Sequence, residues 1–170
     1  MGIRSWLFVP GDSEKKLGKV AGLGADVIIV DLEDAVAPGA KEAARTNARN
    51  WLEAHKRQVL AGGRHRRWVR INPLDTPLWR EDLAAIMPAT PRGILVPKAQ
   101  GPDQLRLLAA ELYEHEQRAG VPTGSTEIMP LVSETARSAL TIPAYADPAN
   151  HPPRLAASTG GAEERAADRG

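Results

Sequence analysis

Five short apolar runs, each closed by polar or charged residues, set the tightest limit on how this chain can fold. They are Trp6–Val9, Val27–Val30, Trp68–Ile71, Ile94–Val96 and Ile128–Val132. Within them apolar residues follow one another instead of alternating with polar ones. That pattern predicts strands covered on both faces, as in a parallel sheet. Between the runs lie stretches with helical spacing. Ala44, Ala48, Trp51, Leu52 and Val59 make one stripe, and Leu105, Leu108, Ala109 and Leu112 make another. Pro102 in the first turn of the second and Gly120 just past its end suit the two ends of a helix.

Strand alternating with helix predicts an α/β fold with a parallel sheet, either open and doubly wound or closed as a (β/α)8 barrel; periodicity does not choose between them. A sixth, weaker run, Leu155–Thr159, lies in a tail of Pro, Ala, Gly and charged residues, and Tyr145–Pro153 reads as a loop.

Composition removes several function classes. With 42% hydrophobic and 25% charged residues the chain has the means to build a core. The 22 Lys and Arg against 21 Asp and Glu leave a net charge of +1, with the basic residues spread widely instead of gathered into one long run, so no nucleic-acid partner is expected. The absence of cysteine excludes thiolate metal sites and a Cys nucleophile and leaves oxygen and nitrogen ligands. No apolar stretch approaches the ~20 residues that span a bilayer, and Met1–Ser5 does not begin a secretory segment. A cytoplasmic protein with no membrane partner is the expectation.

The chemistry gathers after the apolar runs. Pro10-Gly11-Asp12 follows the first and Asp31-Leu32-Glu33-Asp34 the second; Arg70 and Asn72 end the third, Pro97-Lys98 the fourth and Ser133-Glu134-Thr135 the fifth. In parallel α/β folds ligands bind at this C-terminal edge, where successive loops converge. Asp31, Glu33 and Asp34 suit a hard cation, which takes one or two carboxylates plus water and substrate oxygens. The competing reading has Asp34 capping a turn and Glu33 facing solvent. Arg70, inside an apolar run, must meet a carboxylate, either on a substrate or in a salt bridge to the acidic cluster. Lys98 either reaches a substrate or packs its stem at the mouth. Glu134, at the start of an expected helix Glu134–Leu140, is explained equally by the helix dipole. His55, His65, His115 and His151 lack ligand-like spacing and read as surface residues.

Taken together, Arg4-Ser5-Trp6-Leu7-Phe8-Val9-Pro10-Gly11-Asp12, Gly24-Ala25-Asp26, Asp31-Leu32-Glu33-Asp34-Ala35-Val36-Ala37-Pro38, Val69-Arg70-Ile71-Asn72-Pro73, Val96-Pro97-Lys98 and Glu134-Thr135-Ala136 resemble the citrate lyase β-subunit (HpcH/HpaI aldolase) family in wording and order. The resemblance implies a TIM-barrel lyase that uses Mg2+ and makes or breaks a carbon–carbon bond in CoA thioesters of hydroxy-carboxylic acids such as citryl-, malyl- or citramalyl-CoA. It implies that Arg70 holds the substrate carboxylate with Lys98 and Glu134 beside it. Glu134 is also implied as a metal ligand, with Glu33 and Asp34 holding water at the metal or assisting proton transfer. The family's second metal ligand is an Asp in a Gly-Ala-Glu-Asp motif. Here the stretch is Gly160-Gly161-Ala162-Glu163-Glu164-Arg165, so Glu164 stands in that place.

A full barrel takes ~250 residues. Residues 1–145 are accordingly expected to form the N-terminal part of the lyase barrel, and 146–170 a loop, degenerate sixth strand and tail, so that about five to six of eight strands are present. Open strand edges would favour a homo-oligomer. Two other functions stay open at this point: a class II pyruvate aldolase on the same fold, and a catalytically inactive interaction subunit.

Overall fold

A computed structural model describes residues 4–60, 66–132, 134–136, 140, 142–145 and 154–155. All five apolar runs form strands: β1 (Trp6–Pro10), β2 (Val27–Asp31), β3 (Arg66–Arg70), β4 (Gly93–Val96) and β5 (Glu127–Pro130). The largest displacements are at β3, which starts two residues earlier than its apolar core because Arg66 and Arg67 pair with Val27 and Ile28, and at β5, which ends two residues before Val132. Every neighbouring pair is parallel, in the order β1-β2-β3-β4-β5. This order decides what periodicity left open. A doubly wound sheet reverses its strand order at a switch point, whereas a barrel adds each strand beside the last. The sheet is an arc of a (β/α)8-type barrel.

The two faces of the arc carry different cores. Outward residues such as Ile28, Val30, Val69, Ile94 and Ile128 pack beneath the helices against Leu17, Ala48, Leu52, Leu83 and Leu108. Inward residues Val27, Ile29, Trp68, Leu95, Met129 and Leu131 form a second cluster, with Phe8 against it. Trp68 faces Gly93 across the β3–β4 register, and a Cβ at Gly93 would lie 2.5 Å from the indole ring. Glycine here is what lets the largest side chain fill the interior.

The helices are α1 (Glu14–Val20), α2 (Lys41–Leu60), α3 (Leu78–Ile86), α4 (Pro102–Ala119) and α5 (Ile142–Tyr145). Ala44, Ala48, Trp51 and Leu52 are buried on α2, as their spacing predicts, and Leu105, Leu108 and Leu112 on α4. The side chain of Val59 lies outside the described residues. Pro102 opens α4, and Gly120 closes it in the left-handed conformation that a C-cap requires. Helix α1 has a Ser13 cap whose hydroxyl accepts from the Lys16 amide.

Two sequence expectations need correcting. Tyr145, expected to begin a loop, ends α5; it is buried, and its hydroxyl accepts from the Gly101 amide at 2.8 Å. His55 and His115 are half-buried instead of surface-exposed. The His55 ring packs 4.3 Å from that of Trp51, with Nδ1 2.9 Å from the Trp51 carbonyl oxygen. His65 and His151 lie outside the described residues, as do 137–139 within the expected helix Glu134–Leu140 and all of 146–153.

The sixth run does begin to pair with β5. Leu155 forms a parallel bridge to Ile128, whose amide donates to the Arg154 carbonyl. Arg154 is anchored by the buried Glu116 of α4, with nitrogen–oxygen distances of 2.8 and 3.1 Å. Residues 156–170 lie outside the described set. No described helix is long and apolar enough to cross a membrane.

Candidate active site

The C-terminal ends of β2, β3, β4 and β5 bring Asp31, Glu33, Asp34, Arg70, Lys98 and Glu134 together. Asp31 ends β2 and is paired in register with Arg70, which ends β3. Both are buried, at 1% and 5% exposure, so neither charge can be left to water. They form a fork-to-fork pair: Arg70 Nε donates to Asp31 Oδ1 at 2.9 Å and NH2 to Oδ2 at 2.7 Å. Asp31 also accepts the amides of Glu33 and Ala35, which folds the chain into a tight turn directly after the strand. Burial acts to push the Asp31 carboxyl up, but the Arg70 bonds outweigh it and hold it below the usual carboxylate range. The Phe8 ring lies 5.0 Å beneath the guanidinium.

That turn points Glu33 inward and Asp34 outward. Glu33 is 3% exposed, which overturns the solvent-facing alternative, while Asp34 is exposed. The turn-capping role considered for Asp34 belongs to Asp31. Glu33 Oε1 takes a 2.5 Å bond from Lys98 Nζ, and Oε2 lies 3.5 Å from Arg70 NH1. Oε2 is fully buried and accepts no hydrogen bond among the described residues. Lys98 follows β4 with a left-handed backbone, φ 50°, which is uncommon for a residue with a side chain. That conformation lets it use both ends. Nζ reaches Glu33 and, at 3.3 Å, Asp34, while the amide donates to Glu134 Oε2 at 2.6 Å. The bond to Glu33, foremost, raises the Lys98 pKa and keeps it cationic. It is therefore an electrostatic clamp and not a neutral amine poised for covalent chemistry.

Glu134, expected to begin a helix, stands instead in a bend, and helical backbone first appears at Ala136. Glu134 is exposed as a residue, but partial desolvation of its carboxyl, reinforced by the nearby charge of Glu33, pushes it up despite the Lys98 amide. Glu33 and Glu134 are thus two neighbouring carboxylates at the strand ends, and the orphaned Glu33 Oε2 offers a lone pair to a cation or a water. This fits a Mg2+ ion held through one or two carboxylates and completed by water and substrate oxygens. Among the described residues there is no group of three such ligands, and Glu164 lies outside them.

Behind the acidic turn lies a polar brace that no sequence pattern signalled. Lys41 Nζ donates to the carbonyls of Leu32 and Glu33, both at 2.7 Å. Asn72 donates its side-chain amide to the Leu32 carbonyl at 3.0 Å and to Asp82 at 2.8 Å. Asp82, fully buried on α3, is paired by Arg45 Nε at 2.7 Å. The position of Asn72 beside Arg70 was the only hint available; Lys41, Arg45 and Asp82 look like ordinary helix-surface charges in sequence.

Comparison with known proteins bears on the family and the fold. The sequence profile of the HpcH/HpaI aldolase/citrate lyase family matches residues 4–158. A (3S)-malyl-CoA thioesterase of Cereibacter sphaeroides is 42% identical over 107 residues, which cover 63% of this chain and 36% of that protein. Citrate lyase subunit beta of Leuconostoc mesenteroides subsp. cremoris is 33% identical over 126 residues, 74% of this chain and 40% of its own. Among solved structures, the citrate lyase beta subunit from M. tuberculosis, complexed with oxaloacetate and magnesium, superposes with a TM-score of 0.62 at 31% identity. The superposition covers 91% of this chain and 55% of that one. The chain thus spans between about a third and somewhat over half the length of these relatives.

Proposed function

Because this chain belongs to the HpcH/HpaI aldolase/citrate lyase family, we propose that it carries part of a Mg2+-dependent carbon–carbon lyase site for CoA thioesters of hydroxy-carboxylic acids, such as citryl-, malyl- or citramalyl-CoA. The observation that carries this reading is the continuous chain of ion pairs Asp31–Arg70–Glu33–Lys98, extended to Glu134 by the Lys98 backbone amide, across four strand ends.

In retro-aldol cleavage the hydroxyl loses a proton while negative charge grows on the thioester oxygen. A divalent ion at Glu134 would lower the hydroxyl pKa and polarise the nascent carbonyl. Arg70, its Nε and NH2 locked by Asp31, presents a rigid NH1 edge toward the Glu33 side, where a substrate carboxylate can be oriented. Glu33, with Oε2 open to a donor, is placed to hold a water or to relay the proton, and exposed Asp34 stands next to it. Lys98 keeps Glu33 and Glu134 at fixed spacing and offsets the anion that develops.

The test is to incubate the chain with the three CoA esters, with Mg2+ or with EDTA, and to follow acetyl-CoA and the keto-acid product. In parallel, Mn2+ binding is read by electron paramagnetic resonance. Expected are Mg2+-dependent cleavage and Mn2+ binding, both lost in Glu134→Gln. Folded protein that binds no Mn2+ and cleaves none of the esters would refute the assignment.

A further inference from the structure

At the other end of the sheet a second concentration of charge remains unexplained by the lyase reading. A cavity of about 340 Å3 opens between the N-terminal ends of β3, β4 and β5, lined by Arg66, Arg67, Thr90, Arg92 and Ser125. Arg67 projects to the helix side of β3, as Val69 does, and is 8% exposed. Its guanidinium donates to the Leu52 carbonyl of α2 and meets no carboxylate among the described residues. A cation withdrawn from water against a neutral carbonyl alone is poorly compensated. Burial accordingly lowers the Arg67 pKa, with no acidic neighbour opposing it. Arg66 is exposed beside it and also has no carboxylate partner among the described residues. Arg92 is paired with Glu127.

Three guanidiniums and one carboxylate leave two positive charges around the cavity, and Thr90 and Ser125 add hydroxyl donors to its wall. Thr90 holds a left-handed backbone, φ 52°, in the turn that forms one side. We propose that this cavity binds a phosphate dianion, either free or as the phosphate group of a larger molecule. Two charges match the dianion, and the planar guanidinium fork suits phosphate oxygens. The strands between are four or five residues long, at about 3.3 Å per residue, so the cavity lies on the order of 15 Å from the acidic cluster. The proposal therefore does not depend on the lyase assignment.

The experiment is a titration of the whole chain with inorganic phosphate, read by calorimetry and by amide chemical shifts of Thr90, Arg92 and Ser125. Saturable binding is expected that weakens with added salt. Arg66→Gln and Arg67→Met should each weaken it by roughly tenfold or more, the scale of a charge-assisted contact. Glu134→Gln, at the far end of the strands, should leave it unchanged. Arg66 is exposed, so its variant keeps the test decisive if Arg67→Met unfolds. Two competitors identify the source. Displacement by glycerol 3-phosphate points to a small phosphorylated metabolite, and displacement by CoA but not by 3′-dephospho-CoA points to the CoA 3′-phosphate; either supports the site. Absence of saturation up to about 10 mM, tenfold weaker than a millimolar site, would overturn the proposal. So would unchanged affinity in a folded Arg66 or Arg67 variant, which would reduce Arg67 to a structural tie between β3 and α2.

Discussion

Replacing Asp31 by Asn tests whether the buried pair at the ends of β2 and β3 organises the site. Asn is nearly the same size, so the change isolates charge and hydrogen bonding from packing. Asp31 accepts four bonds, from Arg70 Nε at 2.9 Å, Arg70 NH2 at 2.7 Å, the Glu33 amide at 2.8 Å and the Ala35 amide at 3.1 Å. An amide group has one oxygen and one NH2, and whichever way it turns, the NH2 faces a donor. Arg70, 5% exposed, then keeps Glu33 at 3.5 Å as an anionic neighbour but loses both of its Asp31 bonds. Stranding one partner of a buried pair costs about 3–5 kcal/mol. That is a large part of the 5–15 kcal/mol typical of a whole domain. At about 2–4 °C per kcal/mol for a chain of this size, the melting temperature should fall by roughly 6–20 °C. Urea unfolding followed by tryptophan fluorescence gives the number directly. The double variant Asp31→Asn, Arg70→Met removes the stranded cation and leaves Glu33 its Lys98 partner, so it should recover at least half of the loss. A loss below about 1 kcal/mol in the single variant, or a double variant no more stable than the single, would refute the reasoning.

Gly93→Ala should destabilise the fold by about 1–3 kcal/mol, the usual range for an overpacked core, because the new methyl would meet the Trp68 ring. A urea midpoint equal to that of the parent would show that the indole moves at little cost. Glu116 supplies a pH dependence distant from the active site. Burial alone would raise its carboxyl, but Arg154 and the amides of Gly124 and Thr126 hold it below the usual range. A depressed folded pKa stabilises the protein above the unfolded value of about 4.3, and the stabilisation is lost as pH falls through the lower folded value. Glu116→Gln should be less stable at neutral pH and lose less stability than the parent between about pH 5 and 3; parallel curves for the two proteins would contradict this. Lys41→Met frees the carbonyls behind the acidic turn and should weaken Mn2+ binding by roughly tenfold, on the scale of lost charge-assisted bonds, with partial rescue by Lys41→Arg. Unchanged affinity would show that Asn72 and Asp82 suffice to hold the turn.

The sequence by itself determined the five strands, the two long helices with their Pro102 and Gly120 ends, and the edge at which chemistry collects. Each of these depends on local periodicity and backbone restriction, which operate within a few residues. It also brought Glu33, Asp34, Arg70, Lys98 and Glu134 forward as candidates, since each directly follows or ends an apolar run. The short helices α1 and α3 carry stripes too brief to stand out. Only the tertiary structure decided that the strands add in barrel order, because strand neighbours are chosen by long-range pairing. Only it decided that Arg70 answers Asp31, 39 positions away, and that Lys98 answers Glu33, 65 positions away. Register sets which charges meet, and burial then makes their pairing compulsory. The same two effects produce what no pattern in the chain foreshadowed: the orphaned oxygen of Glu33 between its cations, and a buried Arg67 with no acid to meet it among the described residues.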